Sequence, residues 1–451
     1  MRRASLLLLF AMLSAPALAA DALPNTDQPL LHTIAGDVRP DALQATVTRL
    51  VGFGTRHTMS DPNAKTRGIG AARAFVAAQF AQMAKACGGC LTIVTPSETV
   101  TGPRIPTPTA VVDVLAIQRG TSDPNRVIVI SGHVDSFILK DMLDTTSDAP
   151  GADDDASGTA AVMEAARVLS RHKFPATLVY AVLSGEEQGL YGGTVLAHYA
   201  RDQHWQVEAA LNNDIIGNIR GDNGTVDADH VRVFSEGTRT LETQQQADDR
   251  RYLGGEVDSP SRNLARFIAG MVDRYVDGLK VRMVYRTDRY GRGGDQVPML
   301  AQGFPAVRVT EAAEDYTHEH QWIRMENGVQ YGDLLAAVNF PYLAQVTRLN
   351  AVSMAAMAMA PAPPAKVTVT GAVSWNTTLK WSKVSGAGGY RVWWRDTTAP
   401  FWGFSRGAGD SESLTLKDIN IDDAFFGVSS VSPEGYDSPV VFPGAAGAFE
   451  P

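Results

Sequence analysis

Two hydrophobic periods divide the chain. Up to about residue 360, apolar runs alternate with amphipathic helical stretches such as ASGTAAVMEAARVL and SRNLARFIAGMVDRYV, and a long helical pattern follows the last run. The apolar runs are RVIVI, ATLVYAVL, VEAALNN, HVRVF, VRMVYR and PAVRVT. Strands that alternate with helices are typical of an α/β fold with a mostly parallel mixed sheet flanked by helices.

After the segment PAPPAK the period changes to two. Short strand-like stretches separated by Gly, Asp and Pro follow, among them KVTVT, TTLKWSKV, GYRVWWRD and FFGVSSV. They predict a small β-sandwich over residues 366–451, which resembles a fibronectin type III domain. A proline-rich linker at 361–365 is expected to join this sandwich to a first domain over 21–360.

Tryptophan is concentrated in the predicted sandwich, which holds five of the seven in the chain. Adjacent residues of a strand face opposite ways, so we expect Trp381 and one of Trp393 or Trp394 to fill the core. The outward-facing partner is a candidate contact for a substrate or a glycan.

The first twenty residues, MRRASLLLLFAMLSAPALAA, have the features of a targeting segment. Two arginines precede an apolar run, and the small-residue pattern Ala-Leu-Ala follows it. The run is shorter than the ~20 residues of a membrane span, so residues 1–20 are expected to be a signal peptide. We therefore expect an exported protein, periplasmic or secreted, without a membrane span.

The only two cysteines, Cys87 and Cys90, stand in the sequence CGGC. In the oxidising compartment that an exported chain enters, they are expected to form a local disulfide. A redox-active CxxC is disfavoured, because that motif normally opens a helix after a strand and this one follows the helical pattern RAFVAAQFAQMAKA.

The charge balance limits the partners. With 44% hydrophobic residues the chain can bury a sizeable core, and its formal net charge is −9. An acidic chain has no basic footprint for nucleic acid or for an anionic membrane surface. The ordinary explanation of this acidity is solubility.

Four of the apolar runs lead directly into carboxylates or imidazoles. The residues are His133 and Asp135 after RVIVI, Glu186 and Glu187 after ATLVYAVL, Asp214 after VEAALNN, and His318 and His320 after PAVRVT. In an open α/β sheet, sites form beyond the carboxyl ends of the strands, so these side chains are expected to converge on one edge.

Three consecutive aspartates, Asp153, Asp154 and Asp155, lie in PGADDDASG before a helical pattern. Taken singly, each acidic motif has an ordinary explanation: the aspartates as a helix cap, the paired glutamates as a solvated surface. Four such groups in succession, each at a strand end, favour a metal site. Mixed imidazole and carboxylate ligands suit zinc or a similar transition metal, whereas magnesium and calcium prefer oxygen alone.

The ordered set GHVDS, PGADDDASG, SGEEQGL, NND and a late histidine resembles the co-catalytic di-zinc aminopeptidases of the secreted bacterial leucyl aminopeptidase type. Relatives of that family include aminopeptidase Y and glutamate carboxypeptidase. The resemblance covers about residues 110–345. It implies a zinc exopeptidase-like fold, two Zn²⁺ ions per chain, and hydrolysis of the N-terminal residue of peptides or small proteins through a metal-bridging hydroxide.

Carried over residue by residue, the resemblance assigns the metal ligands. Asp153 would bridge the two ions. His133 and Glu187 would complete one site, and Asp214 with a late histidine would complete the other. His320 is favoured as that histidine over its neighbour at position 318, because the HQ step falls where the family places its last ligand.

The same resemblance assigns supporting roles. Glu186 would be the general base, and Asp135 would hold the ring of His133. Asp154 would shape the backbone after the bridging residue, and Asp155 would cap the helix. The stretch GGDQVPML departs from the Ser-Asp-His of many relatives, which leaves the substrate contacts open.

Three alternatives differ in class. A glutaminyl cyclase-like acyltransferase on the same scaffold needs a single zinc ion, and the complete second ligand set disfavours it. A carboxypeptidase would use the same metals on the other end of the peptide. A binding protein without activity is disfavoured by the intact Glu186.

Overall fold

The structure is a computed structural model that describes residues 27–449. The predicted signal peptide, residues 1–20, lies outside the described residues. Signal peptide and export therefore stay predictions.

A large sheet with helices on both faces forms the body up to residue 360, which confirms the predicted α/β class. The strands of this body are β1 (Leu91–Val94), β2 (Ser97–Gly102), β3 (Ile105–Val112), β4 (Val114–Gln118), β5 (Asp123–His133), β6 (Ala176–Leu183), β7 (Gln206–Asn213), β8 (His230–Phe234), β9 (Lys280–Val284), β10 (Ala306–Glu311), β11 (Arg324–Glu326) and β12 (Val329–Tyr331). The helices are α1 (Pro29–Asp37), α2 (Pro40–Val51), α3 (Gly68–Ala86), α4 (Ala156–Leu169), α5 (Glu186–Gly189), α6 (Tyr191–Asp202), α7 (Gln244–Leu253), α8 (Pro260–Tyr275), α9 (Gln296–Ala301) and α10 (Phe340–Met359).

Eight of the strands form one sheet in the order β1-β4-β6-β5-β7-β10-β8-β9. The four central neighbours β6, β5, β7 and β10 are parallel, whereas β1, β4 and β8 pair antiparallel with their neighbours toward the centre. Parallel strands need a crossover, and α4, α6 and α8 are the helices that the sequence pattern predicts between them. The carboxyl ends of four adjacent strands therefore meet at one edge.

Both faces of the sheet are buried, which explains the continuous apolar runs in its strands. Along β5, Ile128 and Ile130 point into the larger core, which the helices α1 to α4, α8 and α10 cover. Val127 and Val129 point into the second core with residues of α6 and α9. One strand thus contributes to two cores by the period-two alternation of its side chains.

A separate hairpin of β2 and β3 stands beside the main sheet. Its residues Ile105 and Val111 are buried against Val195 of α6, with Tyr191 packed on the same cluster. This hairpin was not recognised in the sequence, because SETVTG and IPTPTA carry few large apolar residues.

One further sequence-based expectation is met within residues 27–449. Cys87 and Cys90 are joined by a disulfide just after α3, as predicted. No helix in this part of the chain is both long and apolar enough to cross a bilayer.

The C-terminal part consists of two small antiparallel sheets of three strands each. The strands are β13 (Thr368–Thr370), β14 (Thr377–Lys380), β15 (Gly389–Asp396), β16 (Phe404–Gly409), β17 (Ser413–Leu416) and β18 (Ala424–Val431). Trp381 is buried in the core between them and Trp394 packs on it, whereas Trp393 donates its ring N–H to Ser429 Oγ at 2.8 Å. The fibronectin type III assignment and the domain boundaries stay predictions.

A buried ionic cluster joins the C-terminal sheets to α8. Asp258 accepts two hydrogen bonds from Arg395 of β15, at 2.8 and 2.9 Å, and one from Arg266 of α8 at 2.7 Å. Trp402 covers both guanidinium groups and donates its ring N–H to Asn263 of α8. The sandwich is thus fastened to the body by buried charges, and Trp402 lies between the two parts.

Removing the shared carboxylate is expected to destabilise the whole chain. Asp258 is fully buried and Arg395 is 1% exposed, so Asp258→Ala leaves two buried cations without an anion. Loss of one partner of a buried ion pair costs about 3–5 kcal/mol, and we expect a fall of that size in the free energy of unfolding measured with urea. Lys383→Met, which breaks the exposed pair of Lys383 with Asp410, is the control and should leave the midpoint unchanged. Equal midpoints in both variants would contradict the role of the cluster.

Candidate metal centre

The predicted polar side chains converge at the carboxyl edge of the four parallel strands. His133 ends β5, Glu186 and Glu187 begin the short helix α5 after β6, and Asp214 follows β7 directly. His320 comes from the loop after β10. Gly185 precedes the glutamates in a left-handed conformation (φ 77°), which turns the chain from strand to helix in one residue.

One group of potential ligands combines His133, Asp154 and Asp214. His133 Nε2 lies 3.2 Å from Asp154 Oδ1 and 3.9 Å from Asp214 Oδ1. All three residues are buried, so a cation at this point would be largely shielded from bulk water.

A second group lies on the other side of the same carboxylate. Asp154 Oδ2 is 2.9 Å from His320 Nε2, and that nitrogen is 3.1 Å from Glu187 Oε2. Glu319 also reaches this group with one carboxylate oxygen. Asp154 is therefore shared, with one oxygen toward each imidazole.

The three consecutive aspartates serve three different purposes. Asp154 joins both ligand groups, a position that the sequence analysis gave to Asp153. Asp155 caps α4 by accepting from Gly158 N at 2.9 Å, as expected, and it also accepts from His133 N. The peptide bond between Asp154 and Asp155 is cis.

Asp153 turns away from the imidazoles. Its Oδ1 accepts from Gly217 N at 2.7 Å, and its carboxyl group shares a hydrogen bond with Glu311. Burial raises the pKa of Asp153 to about 7, and it raises the pKa of Glu311 well above its usual range. Asp333, also buried, accepts from the N–H groups of Asp153 and Asp154 and so fixes this turn. The assignment of Asp153 as the shared ligand is thus corrected: the structure puts it behind the site.

The pairing of the ligands also differs from the sequence-based assignment. That assignment put His133 with Glu187 and Asp214 with the late histidine, whereas the structure puts His133 with Asp214 and His320 with Glu187. Strand order does not decide the pairing, because β5 lies between β6 and β7 in the sheet. The positions of the side chains decide it: Asp154 turns Oδ1 toward His133 and Oδ2 toward His320, and Glu187 lies on the side of His320. Of the two late histidines, His320 reaches the site, while His318 lies 3.6 Å from Asp315.

Asp135 is fully buried and connects the ring of His133 with the glutamate turn. Its Oδ1 is 3.5 Å from His133 Nδ1, and its backbone carbonyl is 3.1 Å from the same nitrogen. Its two carboxylate oxygens accept from the N–H groups of Glu186 and Glu187 at 3.4 and 3.2 Å. One carboxylate therefore aligns an imidazole and both glutamates, which is a wider role than the ring support predicted for it.

Glu186 is the glutamate that faces the ligands without joining either group. Its Oε2 lies 4.0 Å from His133 Nε2, and its side chain is 11% exposed. Burial raises the pKa of Glu186 well above the usual range, with the carboxylates of Asp214 and Glu187 adding to the shift against an opposing effect of His133. A carboxyl group that faces the ligands without binding with them is placed to act as a general base.

The imidazoles and the shared carboxylate form one electrostatic unit. Burial alone would raise the pKa of Asp154, but His320 and His133 outweigh it and hold that pKa well below its usual range. Burial likewise acts to lower the pKa of both histidines, and the neighbouring carboxylates raise it well above the usual range instead. Asp154 is thus charged and held between two groups that can each take a cation.

Three buried atoms of the ligand groups lack a hydrogen-bond partner among residues 27–449, although the first of them lies 3.2 Å from Asp154 Oδ1. They are His133 Nε2, Glu187 Oε1 and Glu319 Oε1. Buried polar atoms without partners are rare in native proteins, and metal coordination is one way to satisfy them. Their mixture of imidazole and carboxylate fits zinc.

A buried arginine in the first part of the chain holds the loops of the site together. The guanidinium of Arg56 donates to the carbonyl oxygens of Val134, Pro150 and Gly151, so it ties the loop after β5 to the loop before α4. Its backbone N–H donates to Ser136 Oγ. The stretch FGTRH, far upstream of these loops in the sequence, thus contributes a positioning residue.

The site opens into a cavity of about 590 Å³. Its lining includes the residues Arg104, Phe137, Asp154, Glu186, Glu187, Leu190, Asp214, Arg289, Arg292, Tyr316, Glu319 and His320. Among these, the three arginines and Glu319 were missed from the sequence. Glu319 directly precedes the predicted ligand His320, and this position in the sequence could have identified it as a site residue. The three arginines belong to no sequence motif that predicts a place in the cavity.

Comparison with known proteins places these motifs in a family. Residues 113–322 match the model of peptidase family M28. A probable zinc metalloprotease of Pyrenophora tritici-repentis is 41% identical over 426 residues, which cover 93% of this chain and 88% of that protein. A probable zinc metalloprotease of Leptosphaeria maculans is 42% identical over 417 residues, which cover 92% and 96% of the two chains. These relatives are fungal.

Solved structures share the fold at lower identity. The LapA aminopeptidase of Legionella pneumophila superposes with a TM-score of 0.52 at 19% identity, over 78% of this chain and 80% of that one. LapB from the same organism gives a TM-score of 0.52 at 18% identity, over 74% and 77%. At such identities the likeness establishes the fold alone.

Proposed function

This chain belongs to peptidase family M28 and is a zinc-dependent metallopeptidase, and from that premise we propose that it is an exported aminopeptidase that works with two zinc ions. The observation that carries the proposal is the position of Asp154, with one carboxylate oxygen toward each of two ligand groups. A carboxylate shared in this way suits a pair of cations better than one.

The residues that would hold the ions follow from the distances. His133, Asp154 and Asp214 would bind the first ion. Asp154, His320 and Glu187 would bind the second, with Glu319 within reach. Asp135 would keep the His133 ring in place from behind, the usual support for a metal-bound imidazole.

Zinc, when bound, polarises a carbonyl group and lowers the pKa of water from 15.7 to about 7, so that a nucleophile is available at neutral pH. Glu186 is proposed as the general base: its Oε2 faces His133 and lines the cavity. It takes the proton from the attacking water and passes it to the departing amine. Because Asp135 accepts from the N–H of Glu186, the base is fixed relative to the His133 ring.

The acidic inner wall supports recognition of a free N-terminus. Glu186, Glu187 and Glu319 line the cavity and bring carboxylate oxygens to the wall beside the two ligand groups. An α-amine placed against such oxygens fixes which peptide bond lies over the nucleophile, so orientation contributes to the rate. Export is supported by the leader-like residues 1–20 and fits the Cys87–Cys90 disulfide.

Blocking the amine is expected to reduce cleavage at least 100-fold. Zinc-loaded protein should release p-nitroaniline from leucine p-nitroanilide and leave N-acetyl-leucine p-nitroanilide nearly intact, because the acetyl group removes the basic amine that the carboxylates bind. A site built to hydrogen-bond a substrate group rejects analogues without it by large factors. Dialysis against a chelator should abolish the activity, and added zinc should restore it.

A tripeptide separates the remaining alternatives. Release of leucine before glycine from Leu-Gly-Gly supports the aminopeptidase, whereas release of C-terminal glycine first would show a carboxypeptidase. Cyclisation of an N-terminal glutamine with a single zinc ion per chain would show the glutaminyl cyclase-like chemistry. Equal cleavage of the free and acetylated anilides would contradict amine recognition.

A further inference from the structure

An arginine at the tip of the β2–β3 hairpin lines the cavity without an acidic partner. Arg104 stands in the turn between the two strands, is exposed, and donates from Nη1 to the backbone carbonyl of Glu187 at 2.7 Å. Within residues 27–449 it makes no ion pair with a carboxylate. Its remaining N–H groups are thus available to a ligand in the cavity.

The other two arginines of the cavity are paired. Arg292 binds Glu314 and Glu319 at 3.2 and 3.0 Å. Arg289 contacts Asp288 at 3.2 Å and lies 3.5 Å from Glu314, and it is 8% exposed. Carboxylates of the protein already balance the charges of Arg289 and Arg292. These two arginines are therefore expected to attract a substrate anion less strongly than Arg104 does.

Metal binding changes the charge that a substrate meets. The cavity lining combines three arginines with five carboxylates, those of Asp154, Glu186, Glu187, Asp214 and Glu319. Two divalent cations, when bound, would offset this excess of negative charge. Of the three arginines, Arg104 is the one whose guanidinium has no carboxylate partner among residues 27–449.

The hairpin holds Arg104 in place before any ligand arrives. Ile105, the next residue, is fully buried in the cluster that packs on α6. Gly102 allows close contact with Tyr191, since a Cβ atom there would lie 2.2 Å from the Tyr191 hydroxyl. A guanidinium fixed in this way loses little conformational freedom on binding an anion.

We propose that Arg104 binds a carboxylate of the substrate beyond the scissile bond, so that the preferred substrates are short peptides with a carboxylate close to the N-terminus. The inference rests on the proposed aminopeptidase function. There the N-terminal residue lies inside the cavity against the metals, and the rest of the peptide leaves through the opening, where the exposed Arg104 stands. The carboxylate is the C-terminus of a dipeptide or the acidic side chain of the second residue.

The test compares acids with their amides. Zinc-loaded wild type, Arg104→Met and Arg104→Lys are assayed on Leu-Ala, Leu-Ala amide, Leu-Glu amide and Leu-Gln amide. In Arg104→Met the ratio of kcat/KM for the acid over its neutral partner should fall at least about tenfold, mainly through KM, which is the size of one charge-assisted hydrogen bond. Arg104→Lys should recover part of that ratio. The pair that responds identifies the C-terminal or the side-chain carboxylate.

Two controls make the outcome decisive. Arg171→Met removes an exposed arginine beyond the far end of α4 and should leave every ratio at the wild-type value. Titration of Leu-Ala into Glu186→Gln, with and without Arg104→Met, gives the same comparison as a binding constant. Equal losses on acids and amides, or no loss at all, would overturn the proposal and leave Arg104 as a support of Glu187. Failure of the wild type to cleave leucine p-nitroanilide would instead refute the aminopeptidase function itself.

Discussion

Asp154→Asn is expected to lose zinc from both ligand groups and to lose activity with it. Asp154 places one oxygen 3.2 Å from His133 Nε2 and the other 2.9 Å from His320 Nε2, so a neutral amide removes the negative charge that both cations would share. Loss of a group that only supports a ligand costs 10–100-fold in metal affinity, and the loss of a shared ligand should exceed 100-fold. Elemental analysis after gel filtration, together with the rate on leucine p-nitroanilide, measures both effects.

The neighbouring residue provides the matched control. In Asp153→Asn the amide can still accept from Gly217 N and can donate to Glu311, so the turn should remain intact. We expect this variant to keep its zinc. If Asp153→Asn lost the metal and Asp154→Asn kept it, the shared ligand would be Asp153 and the arrangement described here would be wrong.

Glu186→Gln is expected to keep the zinc and lose turnover. General acid–base catalysis contributes about 10²–10⁴-fold, so kcat should fall by a factor in that range. The metal should stay, because Glu186 stands 4.0 Å from His133 Nε2 and belongs to neither ligand group. The measurements are kcat on leucine p-nitroanilide and zinc content per chain.

The adjacent glutamate separates the two roles. Glu187 lies 3.1 Å from His320 Nε2, so Glu187→Gln should weaken zinc binding at the second group as well as activity. A Glu186→Gln protein that loses its zinc, or one that retains wild-type kcat, would contradict the assignment of the base.

The position of the site could be predicted from the sequence because parallel strands impose it. His133, Glu186, Asp214 and His320 each follow an apolar run, and the runs are neighbours in the sheet. The carboxyl ends of parallel strands lie at the same edge of a sheet. The positions of these residues at the ends of apolar runs were therefore enough to predict that they lie close together.

The choice among the three aspartates could not be made in the same way. Asp153, Asp154 and Asp155 are chemically identical, and their directions depend on partners far along the chain: Gly217, Glu311 and Asp333. The pairing of the ligands likewise depends on where the side chains of Asp154, Glu187 and His320 point, which local patterns do not encode. Tertiary contacts therefore determine which aspartate is shared and how the ligands pair.

Long-range partners also explain what the sequence pattern left out. Arg104 is a cavity residue only because its hairpin packs on α6 and donates to Glu187. Asp258 and Arg395 are 137 positions apart, and nothing near either residue marks them as a pair. Such contacts can be identified only when the arrangement of the sheets and helices is known.

The most direct test of the two-zinc centre is an anomalous difference map recorded at the zinc absorption edge from crystals of the zinc-loaded protein. Two peaks are expected, one beside His133 and Asp214 and one beside His320 and Glu187. Both should lie about 2.0–2.2 Å from an oxygen of Asp154, the usual zinc–carboxylate distance. A single peak, or a peak bound by Asp153 in place of Asp154, would contradict it.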